Sequence, residues 1–388
     1  MIELFQGAIG IVLFILILGV LVIVHELGHF VTARLAGIRV HEFGIGFPPR
    51  AKVLANEGET LWTLNWLPIG GFVRLEGEDG ESDDPRSFGR ANLVVRELVL
   101  VAGVAMNVLL AFVIFWLIAW LANPTESWTI GSTVPGSPAA EARLQPGDRL
   151  ISVDGTRYDA FETDRSLPGD LRMYAGRVVT VGYIRDGQAQ EARISLQAPG
   201  TRSSVAICDQ QPPIEEPPLG VCGLQARPDG PTVDRGPIEA GGVAARRLSS
   251  AFGLILDGLR QLGESIVSRP TEAPPAAGPV GIAVEVSDVF WQTGPIPTLY
   301  LAAILSANLG LVNVLPFPPL DGGRMLVIAL KAIAGRATRL LAGRGVNADA
   351  ATRLGLRLER LTYVLGFTVL MAFLVWITYF DIAGGGAR

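Results

Sequence analysis

Four stretches of this chain contain no Asp, Glu, Lys, Arg or His: Leu4 to Val24, Leu98 to Ala122, Pro295 to Leu320 and Leu361 to Phe380. They are 21, 25, 26 and 20 residues long, and a helix needs about 20 apolar residues to cross a hydrocarbon core. Soluble helices rarely run so far without a charge on their wet face. The chain therefore reads as a polytopic α-helical membrane protein with four transmembrane segments. The first run lacks the basic leader and small-residue cleavage site of a signal peptide, so it reads as a retained span.

Composition narrows the function classes. Only 18% of the 388 residues are charged, against about 25% in an average soluble chain. A net charge of −5 leaves no basic field to displace counterions, which argues against nucleic acid as a partner. Two cysteines are too few for a disulfide scaffold or a cysteine-based zinc site.

Orientation follows from arginine and lysine in the short loops. Lys331, Arg336, Arg339, Arg344, Arg353, Arg357 and Arg360 outnumber Asp349 and Glu359 between the third and fourth runs. That loop is expected to be cytoplasmic. Parity then places 37–97 inside as well, and it places both termini and the long stretch between the second and third runs outside.

At the inner end of the first run stands His25-Glu26-Leu27-Gly28-His29. Residues four apart share a helix face, so both imidazoles can reach one zinc ion, with Glu26 beside them. Zinc makes water acidic enough to lose a proton near neutral pH, and the carboxylate can accept that proton during attack on a peptide carbonyl. Two of the chain's three histidines fall in this motif, beside a membrane span where ionisable groups are costly and usually functional. His41 reads as a solvated loop residue. A catalytic zinc needs a third protein ligand, and Asp321 is the candidate. It directly follows the third run in Asn313-Val314-Leu315-Pro316-Phe317-Pro318-Pro319-Leu320-Asp321-Gly322-Gly323. The third run travels inward, so its end shares the depth of His25 and His29. Its prolines and glycines allow a break that presents the carboxylate.

These motifs resemble those of bacterial site-2 proteases, intramembrane zinc metalloproteases of the PDZ-containing branch. The resemblance rests on the histidine motif, on the N-x-x-P-x-P-x-L-D-G-G pattern, and on Gly278-Pro279-Val280-Gly281-Ile282. It implies a Zn2+ cofactor held by His25, His29 and Asp321, with Glu26 as general base and Asn313 helping to hold substrate. The family's second-span G-P-x-x-N pattern is matched by Gly103-Val104-Ala105-Met106-Asn107, where Val104 replaces the proline. Asn107 joins the expected substrate-binding set.

Cutting a helical substrate requires holding part of it extended, which an edge strand can do. Trp62 to Trp66 and Phe72 to Leu75 read as the two strands of a hairpin turning through Leu67 to Gly71. Gly70, Gly71 and Phe72 are the expected substrate contacts. The segment reads either as a soluble hairpin or, by resemblance, as a membrane-re-entrant β element beside the zinc.

Outside the membrane, Trp128 to Gln197 reads as β-rich. Gly136-Ser137-Pro138-Ala139 and Leu144 to Gly155 resemble a PDZ domain, with strands at Val178 to Ile184 and Ala189 to Leu196 turning at Asp186-Gly187. Such a domain either binds peptide or excludes substrates with bulky ectodomains. Cys208 and Cys222 bracket a proline-rich loop and form either a disulfide or two free thiols. Leu248, Phe252, Ile255, Leu259, Leu262 and Ile266 recur at helical spacing, which predicts an amphipathic helix.

The expected order is a first span in 1–36, an inner loop in 37–97 and a second span in 98–122. A PDZ-like domain in 123–199, a proline-rich extension in 200–242, an amphipathic helix in 243–268 and a linker in 269–294 follow. The third span with Asp321 occupies 295–330, an inner loop 331–360 and the fourth span 361–380. By resemblance the chain sits in the bacterial cytoplasmic (inner) membrane. It would cleave single-span membrane proteins in or near their transmembrane segments, in regulated intramembrane proteolysis of anti-sigma factors or remnant signal peptides. The competing class is a membrane-tethered PDZ adaptor with a vestigial metal site, against which the intact Glu26 and Asp321 argue.

Overall fold

The structure is a computed structural model that describes all residues except 1, 79–81, 123, 162–164, 199–217, 270–271, 342–347 and 385–388. It divides into two compact units, one formed by Met1–Phe115 with Leu248–Arg388 and the other by Trp116–Arg247.

Four helices are long and apolar enough to cross a membrane, and each coincides with one charge-free run. Helix α1 covers Ile2–Leu35 and α2 covers Leu93–Leu121. The third run divides. Helix α7 covers Pro295–Val314, residues 315–320 turn, and a new helix, α8, begins at Asp321 and runs to Leu341. The expected single segment 295–330 is thus broken by its own prolines, which cannot donate the helix hydrogen bond. The fourth run lies in α9, Ala348–Gly384.

Between the first two spans lie two long strands, β1 (Val40–Glu57) and β2 (Thr60–Leu75). Each bends on itself, so residues 42–45 of β1 lie opposite both 61–64 and 71–74 of β2, while residues 50–57 pair with 60–65. This corrects the expected hairpin. Its two strands, Trp62 to Trp66 and Phe72 to Leu75, are separated by β1, and the true turn sits at Gly58 with φ +65°. The alternation of large apolar side chains does mark strand. It does not identify the partner strand, which begins at Val40.

A core formed by Ala33, Ile38, Val40, Leu75, Phe88, Val99, Leu100 and Ile328 joins α1, both strands, α2 and α8. These elements therefore converge at one end of α1. At its other end, α6 (Pro279–Thr293) packs on α1, and a Cβ on Gly10 would lie 2.3 Å from Ser287 Cβ. The stretch 269–294 is accordingly a helix for half its length and not a linker. Asp381 of α9 accepts hydrogen bonds from the Gly278 and Gly281 amides at 3.0 and 2.9 Å, capping α6 across 103 residues of sequence. Farther along α9, a Cβ on Gly366 would sit 2.1 Å from the carbonyl oxygen of Pro318.

The second unit is β-rich. Strands β3 (Ser127–Thr129), β5 (Arg149–Val153), β6 (Val178–Arg185), β7 (Gln188–Ser195) and β9 (Gln225–Arg227) form one sheet in the order β7-β6-β5-β3-β9. Strand β4 (Ser132–Thr133) pairs with β8 (Val221–Cys222). The β6–β7 hairpin turns at Asp186 and Gly187, both at positive φ, as the sequence predicts. Two short helices, α3 (Pro138–Glu141) and α4 (Leu167–Met173), complete the unit. Each is capped by a serine, Ser137 and Ser166, whose hydroxyl accepts a backbone amide. Ile130, Leu150, Val153, Leu167, Leu171, Val181 and Leu219 fill the core.

Because β8 and β9 pair with β4 and β3, the boundary expected at residue 199 does not hold. Residues 219–227 belong to the same unit. Cys222 is buried and disulfide-bonded, while Cys208 lies outside the described residues. The amphipathic helix begins earlier than expected, as α5 (Pro237–Ser268). Within its first turns Arg247, 2% exposed, donates to both oxygens of Asp159 at 2.7 Å.

Candidate metal centre

The site is built where α1, α2 and the start of α8 meet. The i, i+4 spacing sets His25 and His29 on one face of α1, with their Nε2 atoms 3.1 Å apart. Asp321, at the first turn of α8, brings Oδ2 to 2.9 Å from His25 Nε2 and 3.4 Å from His29 Nε2. All three candidate ligand atoms lie within 4.8 Å of one another. They are the one such His/Cys/Asp/Glu group found among the described residues. A tetrahedral zinc with bonds of about 2.0–2.1 Å separates its ligands by about 3.3 Å, so the three observed spacings bracket the required value. The donor set also fits. Nδ1 of His29 lies 2.8 Å from the Val99 carbonyl, which fixes the proton there and leaves the Nε2 lone pair free for a metal.

Glycine makes this crossing possible. A Cβ on Gly28 would lie 2.4 Å from the Ala102 carbonyl oxygen, and one on Gly103 would lie 2.5 Å from His29 Cε1 and 2.8 Å from His25 Cε1. The imidazoles therefore occupy the space that a side chain at 103 would need. Val104, standing where the family pattern has proline, is buried within an unbroken α2.

Glu26 is half-buried on α1 between its two histidines. The backbone of β2 comes directly against it: a Cβ on Gly71 would lie 3.7 Å from Glu26 Cγ and 3.8 Å from Ile23 Cγ1. Pro68 reaches along α1 as far as Gly19. Gly70, at φ +83°, faces the ring of Phe47. The Phe72 side chain lies across Gly44, on the opposite face from Gly71 by strand alternation. At the far end of β2, Glu78 accepts from the Leu75 amide at 3.3 Å and pairs with Arg324, one turn after Asp321. Sequence reading did not single out Glu78 or Arg324, because neither stands in a spacing that implies chemistry by itself.

The two asparagines occupy different places. Asn313, near the end of α7, has Nδ2 3.4 Å from His25 Nε2, on the side of the ligand atoms. Asn107 is fully buried behind His25, with Nδ2 3.2 Å from Nδ1 and its backbone carbonyl accepting from Ser306. Asn107, expected among the substrate contacts, thus lies against His25 with its side chain buried. His41, expected to be solvated, is half-buried, with Nε2 2.5 Å from Glu76 Oε2. The Ser82 hydroxyl and then His41 hold the Glu76 carboxyl below its ordinary range.

The sequence profile of peptidase family M50 matches residues 13–347. A relative from Clostridium perfringens (strain 13 / Type A), which carries the name of a zinc metalloprotease, is 32% identical over 366 residues. That alignment covers 93% of this chain and 95% of the relative. The zinc metalloprotease RasP of Geobacillus kaustophilus (strain HTA426) is 26% identical over 454 residues, covering 96% and 97%. A similarly named relative from Brucella suis biovar 1 (strain 1330) is 29% identical over 389 residues, covering 95% and 94%. With four membrane-length helices and a His, His, Asp cluster, the chain belongs to peptidase family M50, the site-2 protease family, and is a multi-pass membrane zinc metalloendopeptidase.

Proposed function

We propose that the protein hydrolyses peptide bonds in or near the transmembrane segments of single-span membrane proteins, with His25, His29 and Asp321 holding the zinc and Glu26 as general base. The observation that carries this reading is the meeting of His25 with Asp321, 296 residues apart in sequence, on elements joined to membrane-length helices. When bound, zinc supplies a Lewis acid that polarises a carbonyl and acidifies water. Glu26, flanking the ligands, takes the proton from the attacking water and returns it to the amide nitrogen as the peptide bond breaks. Asn313 points a carboxamide toward the same space, where its N–H can hydrogen-bond the oxygen that gains charge during attack.

Residues 71–75 form one rim of the β1–β2 sheet, so an extended substrate can add there as a further strand. Gly71 keeps the gap between that strand and Glu26 free of a side chain, while Gly70 faces the Phe47 ring. Phe72 contributes through its backbone, because its ring covers Gly44. The reach of Pro68 to Gly19 supports a sheet that dips into the membrane beside the zinc. Arginine and lysine between the third and fourth spans support a cytoplasmic catalytic end. The β-rich unit and both termini are then extracytoplasmic, in a bacterial inner membrane. In that arrangement the β-rich unit is a PDZ-like domain that binds peptide or screens substrates by ectodomain size. Anti-sigma factors and remnant signal peptides are the corresponding substrate types.

The test reconstitutes the full chain in liposomes with a single-span substrate and compares wild type with Glu26→Gln. The variant should retain zinc and cleave about 10²–10⁴-fold more slowly. Equal cleavage by both proteins overturns the assignment of the base. Zinc binding without cleavage by either favours the adaptor reading.

A further inference from the structure

The imidazole of His25 poses a hydrogen-bonding problem that its neighbour can solve. Metal ligation through Nε2 leaves the proton of a neutral imidazole on Nδ1. For His29 that proton has an acceptor, the Val99 carbonyl at 2.8 Å. For His25 the group facing Nδ1 is Asn107 Nδ2 at 3.2 Å, so one donor faces another. On the same carboxamide, Oδ1 is buried and has no hydrogen-bond partner. A buried acceptor left unpaired costs about 1–3 kcal/mol, and the arrangement contains two faults a few ångströms apart.

One rotation ends the donor–donor contact and gives Oδ1 a partner, with the NH2 group taking the position Oδ1 now holds. The two ends of a carboxamide have nearly the same shape, so turning Asn107 by 180° about its last torsion places Oδ1 where Nδ2 now lies. We infer that Asn107 is a positioning residue for the metal centre, whose Oδ1 accepts the Nδ1 proton of His25 and so fixes the tautomer that presents Nε2 to zinc. Two buried acceptors on α2, the Val99 carbonyl and the Asn107 carboxamide, then orient the two histidines of α1. The Ser306 hydroxyl, donating to the Asn107 carbonyl at 2.8 Å, ties α7 to the same point. Outer partners of this kind typically change metal affinity by about 10–100-fold when removed. The inference rests on the zinc protease reading and adds to it a residue that touches neither metal nor substrate.

The sign of the hydrogen bond is testable because aspartate can accept but, when ionised, cannot donate. Zinc affinity of the purified full chain, measured by competition with a fluorescent chelator, should be kept within a few-fold in Asn107→Asp. It should fall about 10–100-fold in Asn107→Leu, which fills the space without accepting. A cobalt-substituted sample adds a spectroscopic readout of ligand geometry, which should match wild type in Asn107→Asp and shift in Asn107→Leu. Loss of zinc in Asn107→Asp with retention in Asn107→Leu overturns the inference and leaves the protease reading intact. Equal affinity in all three also overturns it, showing that Asn107 only packs. Absence of zinc binding by wild type refutes the underlying reading instead.

Discussion

The two sides of the active site are built on opposite principles. The metal side consists of rigid helices crossing at glycine, with each histidine buried and backed by an acceptor or a carboxamide. The side proposed for substrate is a doubly bent sheet whose tip exposes Trp66 and Leu67. A metal centre needs ligand atoms fixed to fractions of an ångström, which packed helices supply. A surface that pairs with an extended peptide needs free backbone groups and few side chains, which a glycine-bearing strand supplies. The contrast predicts that damage to one side should spare the other's measurable property.

The largest effect should come from Asp321→Ala. Loss of the third ligand should take zinc occupancy, read by elemental analysis, from full toward none, and cleavage should fall with it. Unchanged occupancy would remove Asp321 from the ligand set. Next comes Gly103→Ala, which drives a methyl group into both imidazoles. Overpacking of this kind costs about 1–3 kcal/mol, visible as a lower unfolding temperature together with weakened zinc affinity. The smallest effect belongs to Gly71→Val, which adds bulk between β2 and Glu26. It should raise KM several-fold for a single-span substrate while leaving zinc affinity unchanged, as expected for a loss of binding. If Gly71→Val also strips the metal, the two sides are not separable and the contrast fails.

The same contrast explains what could be read from the sequence. His25, Glu26 and His29 were legible because a helix turns sequence spacing into geometry without outside help. The approach of Asp321 to the two histidines was legible through topology, since two runs expected to cross in the same direction should end at one depth. The β1–β2 pairing was not legible, because alternation marks a strand but does not identify its partner. Residues 42–45 between two parts of β2 leave no local signature. The pairing of residues 219–227 into the β-rich unit was hidden for the same reason: those strands are two or three residues long. Asn107 was found as part of a motif, yet its role depends on facing His25 across a helix crossing, which no spacing encodes.

Among the described residues the fourth span places no ligand in the His25, His29, Asp321 cluster, yet it touches both structures that set the geometry of α1 and α8. Gly366 leaves room for the Pro318 carbonyl in the turn preceding Asp321, and Asp381 holds the start of α6, which packs on α1. Many of its bulky residues, among them Leu365, Phe367 and Tyr379, are exposed on the surface of the described chain, where lipid would cover them, while Ile377 is buried. Mutational tolerance along α9 should therefore run against side-chain size. Exchanges among these exposed apolar residues should pass unnoticed, while adding a single carbon at Gly366 should be felt at the metal.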